Sequence, residues 1–111
     1  MIFDEPINVS DAAFDKAVLR AKLPVLVDFW SPSCAPCKTM TPILKTLAKE
    51  FNGKVLITKV NTQDYPQLAQ SHQILGVPTM VFFLGGKELS RESGAIPESQ
   101  LRQIIKQVFR L

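Results

Sequence analysis

Thiol and imidazole groups are scarce in this sequence of 111 residues, which holds two cysteines and one histidine. Cys34, Cys37 and His72 therefore lack the fourth ligand that a structural zinc site requires, and no metal is expected. A small secreted scaffold usually carries about four to eight cysteines at wide spacing, whereas two cysteines this close cannot staple distant segments. Long apolar runs are missing as well. No window approaches the roughly 18 uninterrupted apolar residues of a membrane helix, so no membrane partner is expected. Charge of one sign is also in short supply, with 13 basic and 10 acidic residues giving a net charge of +3. No Lys/Arg cluster is interleaved with aromatics, and a nucleic-acid partner is not expected. The start, Met1-Ile2-Phe3-Asp4-Glu5-Pro6, carries early acids and no basic-then-apolar signal pattern. Cytoplasmic location is the expectation, in keeping with a compartment where structural disulfides are rare.

What is present reads as a single domain over residues 1–111, 46% hydrophobic and 21% charged, without repeats or linkers. A short strand over 7–9 precedes Ser10, a plausible N-cap for a helix over 11–21, on which Phe14, Ala17, Val18 and Ala21 form an apolar stripe. Val25-Leu26-Val27-Asp28-Phe29-Trp30 is almost continuously apolar, the pattern of a strand buried on both faces. After the turn Ser31-Pro32-Ser33, a long helix is expected from Cys34 to about Phe51. Pro36 lies in its first turn, and Pro42 predicts a kink or local break in its interior. Lys38, Lys45 and Lys49 share one of its faces, either as a solvated surface or as a basic rim favouring acidic partners. A strand over Val55–Val60, a short helix over Pro66–His72 and a strand over Thr79–Leu84 follow. Gly85-Gly86 then signals a hairpin into a strand near Glu88–Glu92. A last helix begins at Pro97-Glu98 and presents Leu101, Ile104, Ile105, Val108 and Phe109 to the core. The order β-α-β-α-β-α-β-β-α implies an α/β fold. Its central mixed sheet is parallel in the first half and antiparallel at the terminal hairpin, with helices on both faces.

The strongest local signal is a buried strand, a turn, and then Cys34-Ala35-Pro36-Cys37 opening a helix. Unpaired N–H groups and the positive end of the helix dipole favour thiolate at the first sulfur, and thiolate is the nucleophile. At this spacing the second sulfur can close a disulfide with the first. Cys34 is expected to be exposed at the turn and Cys37 to point inward. The competing readings are half a zinc site or two inert buried thiols. Asp28 is the second singular residue. Buried and charged it needs a partner or a raised pKa, and Lys59 in the neighbouring strand is the natural candidate; the alternative is a solvated strand-edge position. Pro78 stands at the mouth of a buried strand, where the Val77–Pro78 bond is either cis or trans.

Together these motifs resemble the thioredoxin family along essentially the whole chain. Val27-Asp28-Phe29-Trp30, Cys34-Ala35-Pro36-Cys37-Lys38 and Pro42-Ile43-Leu44 match its strand and active-site helix in order. Lys59-Val60-Asn61, Gly76-Val77-Pro78-Thr79, Gly85-Gly86 and Gly94 follow in register. The resemblance implies a thioredoxin fold, with Cys34 as attacking thiol, Cys37 as resolving thiol and Cys34–Cys37 as the redox disulfide. It implies Asp28 as a buried proton acceptor with Lys59 beside it, and a cis Pro78 against the dithiol. Val77 would offer backbone hydrogen bonds to an extended substrate, and Trp30 would pack beneath the site. Ser33, Ala35, Pro36 and Gly94 would complete the substrate surface. Two positions depart from the family pattern: Ser33 stands where Trp is usual, and Ala35 where Gly is usual. The first removes apolar docking area, and the second stiffens the loop.

The activity so implied is protein-disulfide reduction through a mixed disulfide, without a bound cofactor. Disulfide-containing client proteins and a thioredoxin reductase, flavoprotein or ferredoxin-linked, are the implied partners of a monomeric protein. The chain itself has no G-x-G-x-x-G fingerprint for a dinucleotide. The alternatives are a thioredoxin-fold binding or chaperone-adaptor module, and a disulfide oxidase or isomerase.

Overall fold

The apolar run Val25–Trp30 forms the middle strand of a five-stranded sheet. The computed structural model describes residues 4–111; Met1–Phe3, the first residues of the segment read for a targeting signal, lie outside them. In chain order the elements are β1 (Ile7–Asn8), α1 (Asp11–Phe14), β2 (Val25–Trp30), α2 (Ala35–Glu50), β3 (Leu56–Asn61), α3 (Pro66–Ser71), β4 (Thr79–Leu84), β5 (Lys87–Ser93) and α4 (Glu98–Phe109). The strands lie in the order β1-β3-β2-β4-β5. The first three are parallel, and β4 and β5 run antiparallel to their neighbours. This is the mixed α/β sheet the element order implies.

Side chains alternate across each strand, which gives the sheet two apolar faces. Leu26, Ile57, Met80 and Phe82 meet Leu44 and Leu47 of α2 and Leu101 and Ile105 of α4. On the opposite face Val25, Val27, Phe29, Val60 and Phe83 meet Phe14 and Val18. Every side chain named in these two layers is buried, so the sheet is a rigid floor for whatever its carboxyl-terminal ends carry.

Ser10 caps α1, its Oγ accepting from the Ala13 N–H at 3.2 Å. The regular helix expected through residue 21 widens after Phe14 into a π-helical stretch, Asp15–Leu19. There the Arg20 N–H reaches the Asp15 carbonyl, five residues back, at 2.9 Å. Helix α2 runs unbroken through Pro42, against the expected break. Pro42 lies on the exposed side, so the carbonyl left without its helical N–H faces solvent rather than the core. Other boundaries shift by a residue or so: β3 starts at Leu56, α3 ends at Ser71, and β5 spans Lys87–Ser93. Gly85 and Gly86 have φ of 60° and 81°, the doubly left-handed turn of a tight hairpin. A Cβ on Gly86 would also sit 3.0 Å from the Leu19 carbonyl oxygen.

Candidate active site

Strand β2 ends at Trp30, and the turn that follows delivers Cys34 to the start of α2. The Cys34 N–H closes the turn on the Ser31 carbonyl at 3.2 Å, and the Ser31 and Ser33 hydroxyls lie 3.3 Å apart. Cys34 has extended backbone and is the N-cap of α2, while Cys37 is in its first turn. The two are joined as a disulfide, with Cα atoms 5.3 Å apart. The Cys37 N–H donates to Sγ of Cys34 at 3.1 Å. Once the disulfide is reduced, that N–H and the positive helix end both favour negative charge on the Cys34 sulfur.

Cys37 is 4% exposed, as its inward position requires, but Cys34 is only 9% exposed. The expectation that Cys34 stands open at the turn is thus corrected. The segment before β4 comes over it, with the Val77 carbonyl oxygen 3.6 Å from Sγ. The Val77–Pro78 bond is cis, and Pro78 is buried. The Pro78 carbonyl accepts from the Gly94 N–H at 2.8 Å. Gly94 has φ of 90°, a conformation that suits glycine and little else. The Thr79 hydroxyl donates to the Gly76 carbonyl at 2.7 Å.

Asp28 lies on the α2 side of β2, in register with Lys59 of β3 and Met80 of β4. It is 1% exposed, which removes the strand-edge alternative. Neither carboxylate oxygen has a hydrogen-bond partner among the described residues. Burial raises its pKa to about 7, against the opposing pull of the Lys59 charge. The pairing expected with Lys59 does not take the form of an ion pair. The half-buried Lys59 sends Nζ over the Trp30 ring, 4.6 Å from its centroid, and acts on Asp28 only through space. The amphipathic side chain keeps its ammonium toward water and the indole face, which spares the cost of desolvating both charges.

Trp30 is half-buried, and its Nε1 is enclosed without a partner among the described residues. Ser33, Ala35 and Pro36 form an exposed rim around the dithiol. Lys38, Lys45 and Lys49 are all exposed on α2. His72 stands across the sheet from α2, its ring centroid 4.9 Å from Phe14 and 5.8 Å from Phe83, and burial pushes its pKa down. It cannot join the cysteines around a metal. Among the described residues no group of three or more His, Cys, Asp or Glu is placed to hold one.

One contribution to the site has no sequence signal. The guanidinium of Arg91 in β5 reaches the carbonyls of His72 and Gln73, on the loop that leads to Val77.

A redox pair at the start of a helix, a cis-proline segment whose Val77 carbonyl reaches it, and a buried acid on the preceding strand define a dithiol–disulfide oxidoreductase. The family model for thioredoxin matches residues 5–107, and the chain belongs to the thioredoxin family. It is 38% identical over 99 residues to thioredoxin 1 of Nostoc sp. (strain PCC 7120), covering 89% of this chain and 92% of that one. It is likewise 38% identical over 99 residues to the thioredoxin of Synechocystis sp. (strain PCC 6803), with the same coverage of 89% and 92%. To the chloroplastic M-type thioredoxin of Spinacia oleracea it is 39% identical over 99 residues, covering 89% of this chain but 55% of that one. Members of the family exchange electrons with disulfide-bearing client proteins and with thioredoxin reductases.

Proposed function

We propose that this protein reduces disulfides in client proteins by two successive exchanges at Cys34 and Cys37. In the first, the Cys34 thiolate attacks one sulfur of the client disulfide. A bond forms between Cys34 Sγ and that sulfur, the client bond breaks, and the other client sulfur leaves as a thiolate that takes a proton from water. In the second, Cys37 loses its proton toward the Asp28 carboxylate, directly or through water, and attacks Cys34 Sγ. The Cys34–Cys37 bond forms, the mixed disulfide breaks, and the second client sulfur leaves. Two electrons pass from the protein dithiol to the client.

The observation that carries this reading is the Cys37 N–H directed at Cys34 Sγ, 3.1 Å away, at the start of α2. It stabilises the Cys34 thiolate and so raises the fraction of Cys34 in its nucleophilic form. A carboxyl with a pKa of about 7 is suited to accept a proton and release it near neutral pH. Pro36 between the cysteines, in place of a charged or imidazole group, favours the reducing direction. Val77 and Pro78 offer backbone and ring to an extended client segment, with Trp30, Ser33, Ala35, Pro36 and Gly94 around it.

A flavoprotein or ferredoxin-linked reductase returns the electrons. The protein acts as a monomer in the cytoplasm, a placement that the use of both cysteines for chemistry supports. The test is reduction of insulin with dithiothreitol as electron source, where many insulin disulfides per protein molecule are expected to open. A binding or adaptor module would retain insulin and show no turnover. Fractionation of the source cells checks the compartment.

A further inference from the structure

The connection between β5 and α4, Gly94-Ala95-Ile96-Pro97, buries a backbone donor that belongs to neither element. Ile96 is 5% exposed, β5 has ended at Ser93, and α4 has not yet begun. A buried N–H left unpaired is costly, so such a donor needs an acceptor from elsewhere in the fold. Here that acceptor is a side-chain sulfur. The Ile96 N–H donates to Sδ of Met40, 3.3 Å away and 56 residues distant in sequence. Met40 is itself fully buried, in α2, and packs in the same core layer as Ile96. A thioether is a weak acceptor, yet an aliphatic side chain of similar size would fill the space and leave the donor unpaired.

The place of this bond matters more than its strength. Met40 follows Cys37 by three residues, on the same face of α2 and about one turn further on. Two residues before Ile96 is Gly94, whose N–H holds the Pro78 carbonyl at 2.8 Å. Across the cis bond from Pro78, the Val77 carbonyl lies 3.6 Å from Cys34 Sγ. These contacts close a ring, from Cys37 along α2 to Met40, across to Ile96 and Gly94, and back over Pro78 to Cys34. Sδ of Met40 is the one link in it that a side chain outside the dithiol supplies.

We propose that Met40 is a positioning residue for client reduction. Its sulfur fixes the Gly94–Ile96 connection against the turn of α2 that carries Cys37, and thereby the height of the Pro78 segment over the dithiol. The proposal rests on the reductase reading above, in which an extended client lies against Pro78 and Gly94. A small disulfide that reaches the sulfurs without lying on that segment does not depend on Met40.

Two substitutions and two substrates test it. Met40→Leu keeps the apolar volume and removes the acceptor, whereas Met40→Gln restores an acceptor on an unbranched chain of similar length. For Met40→Leu, kcat/KM on insulin is expected to fall about threefold to tenfold, mostly through KM, the scale of one net hydrogen bond. Its rate on hydroxyethyl disulfide should change by less than about twofold, and Met40→Gln should recover most of the insulin rate. Hydrogen exchange reads the bond itself. In the wild type the Ile96 amide should be protected like the Leu101 amide of α4, and in Met40→Leu it should exchange about tenfold faster relative to Leu101. An unprotected Ile96 amide in the wild type overturns the proposal without recourse to any variant. Undiminished insulin reduction by Met40→Leu, equal losses on the two substrates, or no recovery in a folded Met40→Gln would overturn it too, while leaving the reductase reading intact. Failure of the wild type to reduce either substrate would overturn both.

Discussion

Replacing Asp28 by asparagine keeps the shape of the side chain and removes the charge that β2 buries. The carboxyl has a pKa of about 7 in the folded protein against an ordinary 3.8, so between those values the folded state binds more protons than the unfolded chain. Stability then falls as pH rises through this window, is fully present below the unfolded value, and levels off above the folded one. A shift of this size corresponds to about 4 kcal/mol in all, of which rather more than half falls between pH 5 and pH 8. The advantage of Asp28→Asn over the wild type should therefore grow by about 2–3 kcal/mol across that interval, on the order of 10 °C in melting temperature for a domain of this size. Denaturation midpoints of both oxidised proteins at the two pH values give the difference directly, because every other group titrates in both. The same substitution should leave formation of the mixed disulfide nearly intact and prolong its lifetime, since it removes the proton acceptor proposed for Cys37. A variant less stable than the wild type at pH 8, with normal resolution, would refute the reasoning and make Asp28 a partner in a structural ion pair.

Other perturbations address the remaining parts of the site. Cys37→Ser should accumulate mixed disulfides with clients through Cys34, visible on non-reducing gels, whereas Cys34→Ser should accumulate none; the opposite pattern would reverse the two roles. Alkylation of the reduced protein by iodoacetamide should show its inflection below the ~8.5 of a free cysteine, because of the N–H aimed at Cys34 Sγ. Gly94→Ala forces a Cβ onto a backbone with φ of 90° and should lower stability by about 1–2 kcal/mol in a denaturant titration. It should also weaken client reduction, through the bond from Gly94 to the Pro78 carbonyl.

The parts of this fold legible in the sequence are those specified locally. An apolar run of six residues became the middle strand, Ser10 became a helix cap, and two successive glycines became a hairpin. Cys-x-x-Cys after a strand and turn marked the start of α2. What escaped depends on contacts between distant segments. The π-helical stretch after Phe14 has no composition of its own that sets it apart from a regular helix. Pro42 reads as a breaker, and only its position on the exposed side explains why the helix continues. Cys34 is shielded by a segment 43 residues away, which no local pattern around the cysteines reveals. Lys59 was legible as a neighbour of Asp28, but its choice of the Trp30 face over an ion pair follows from the solvation of its ammonium. In Gln73-Ile74-Leu75-Gly76, hydropathy cannot tell the isoleucine that packs inward from the leucine that stands out.

The sheet order leaves two strand edges, and they are guarded differently. β1 is two residues long, too short to template another chain. β5, with seven residues, is the edge at risk, yet it carries Lys87, Glu88, Arg91 and Glu92, and its ladder with β4 is interrupted by a register shift between Phe82 and Phe83. A sixth strand added there would have to disturb the Arg91–Glu88 pair and match a bulged backbone. On the mechanism proposed above, in which the protein forms covalent intermediates with clients, such an edge matters more than it would for a solitary enzyme. A client whose disulfide has just opened exposes unpaired backbone, and the edge beside it offers no register in which to zip up and aggregate.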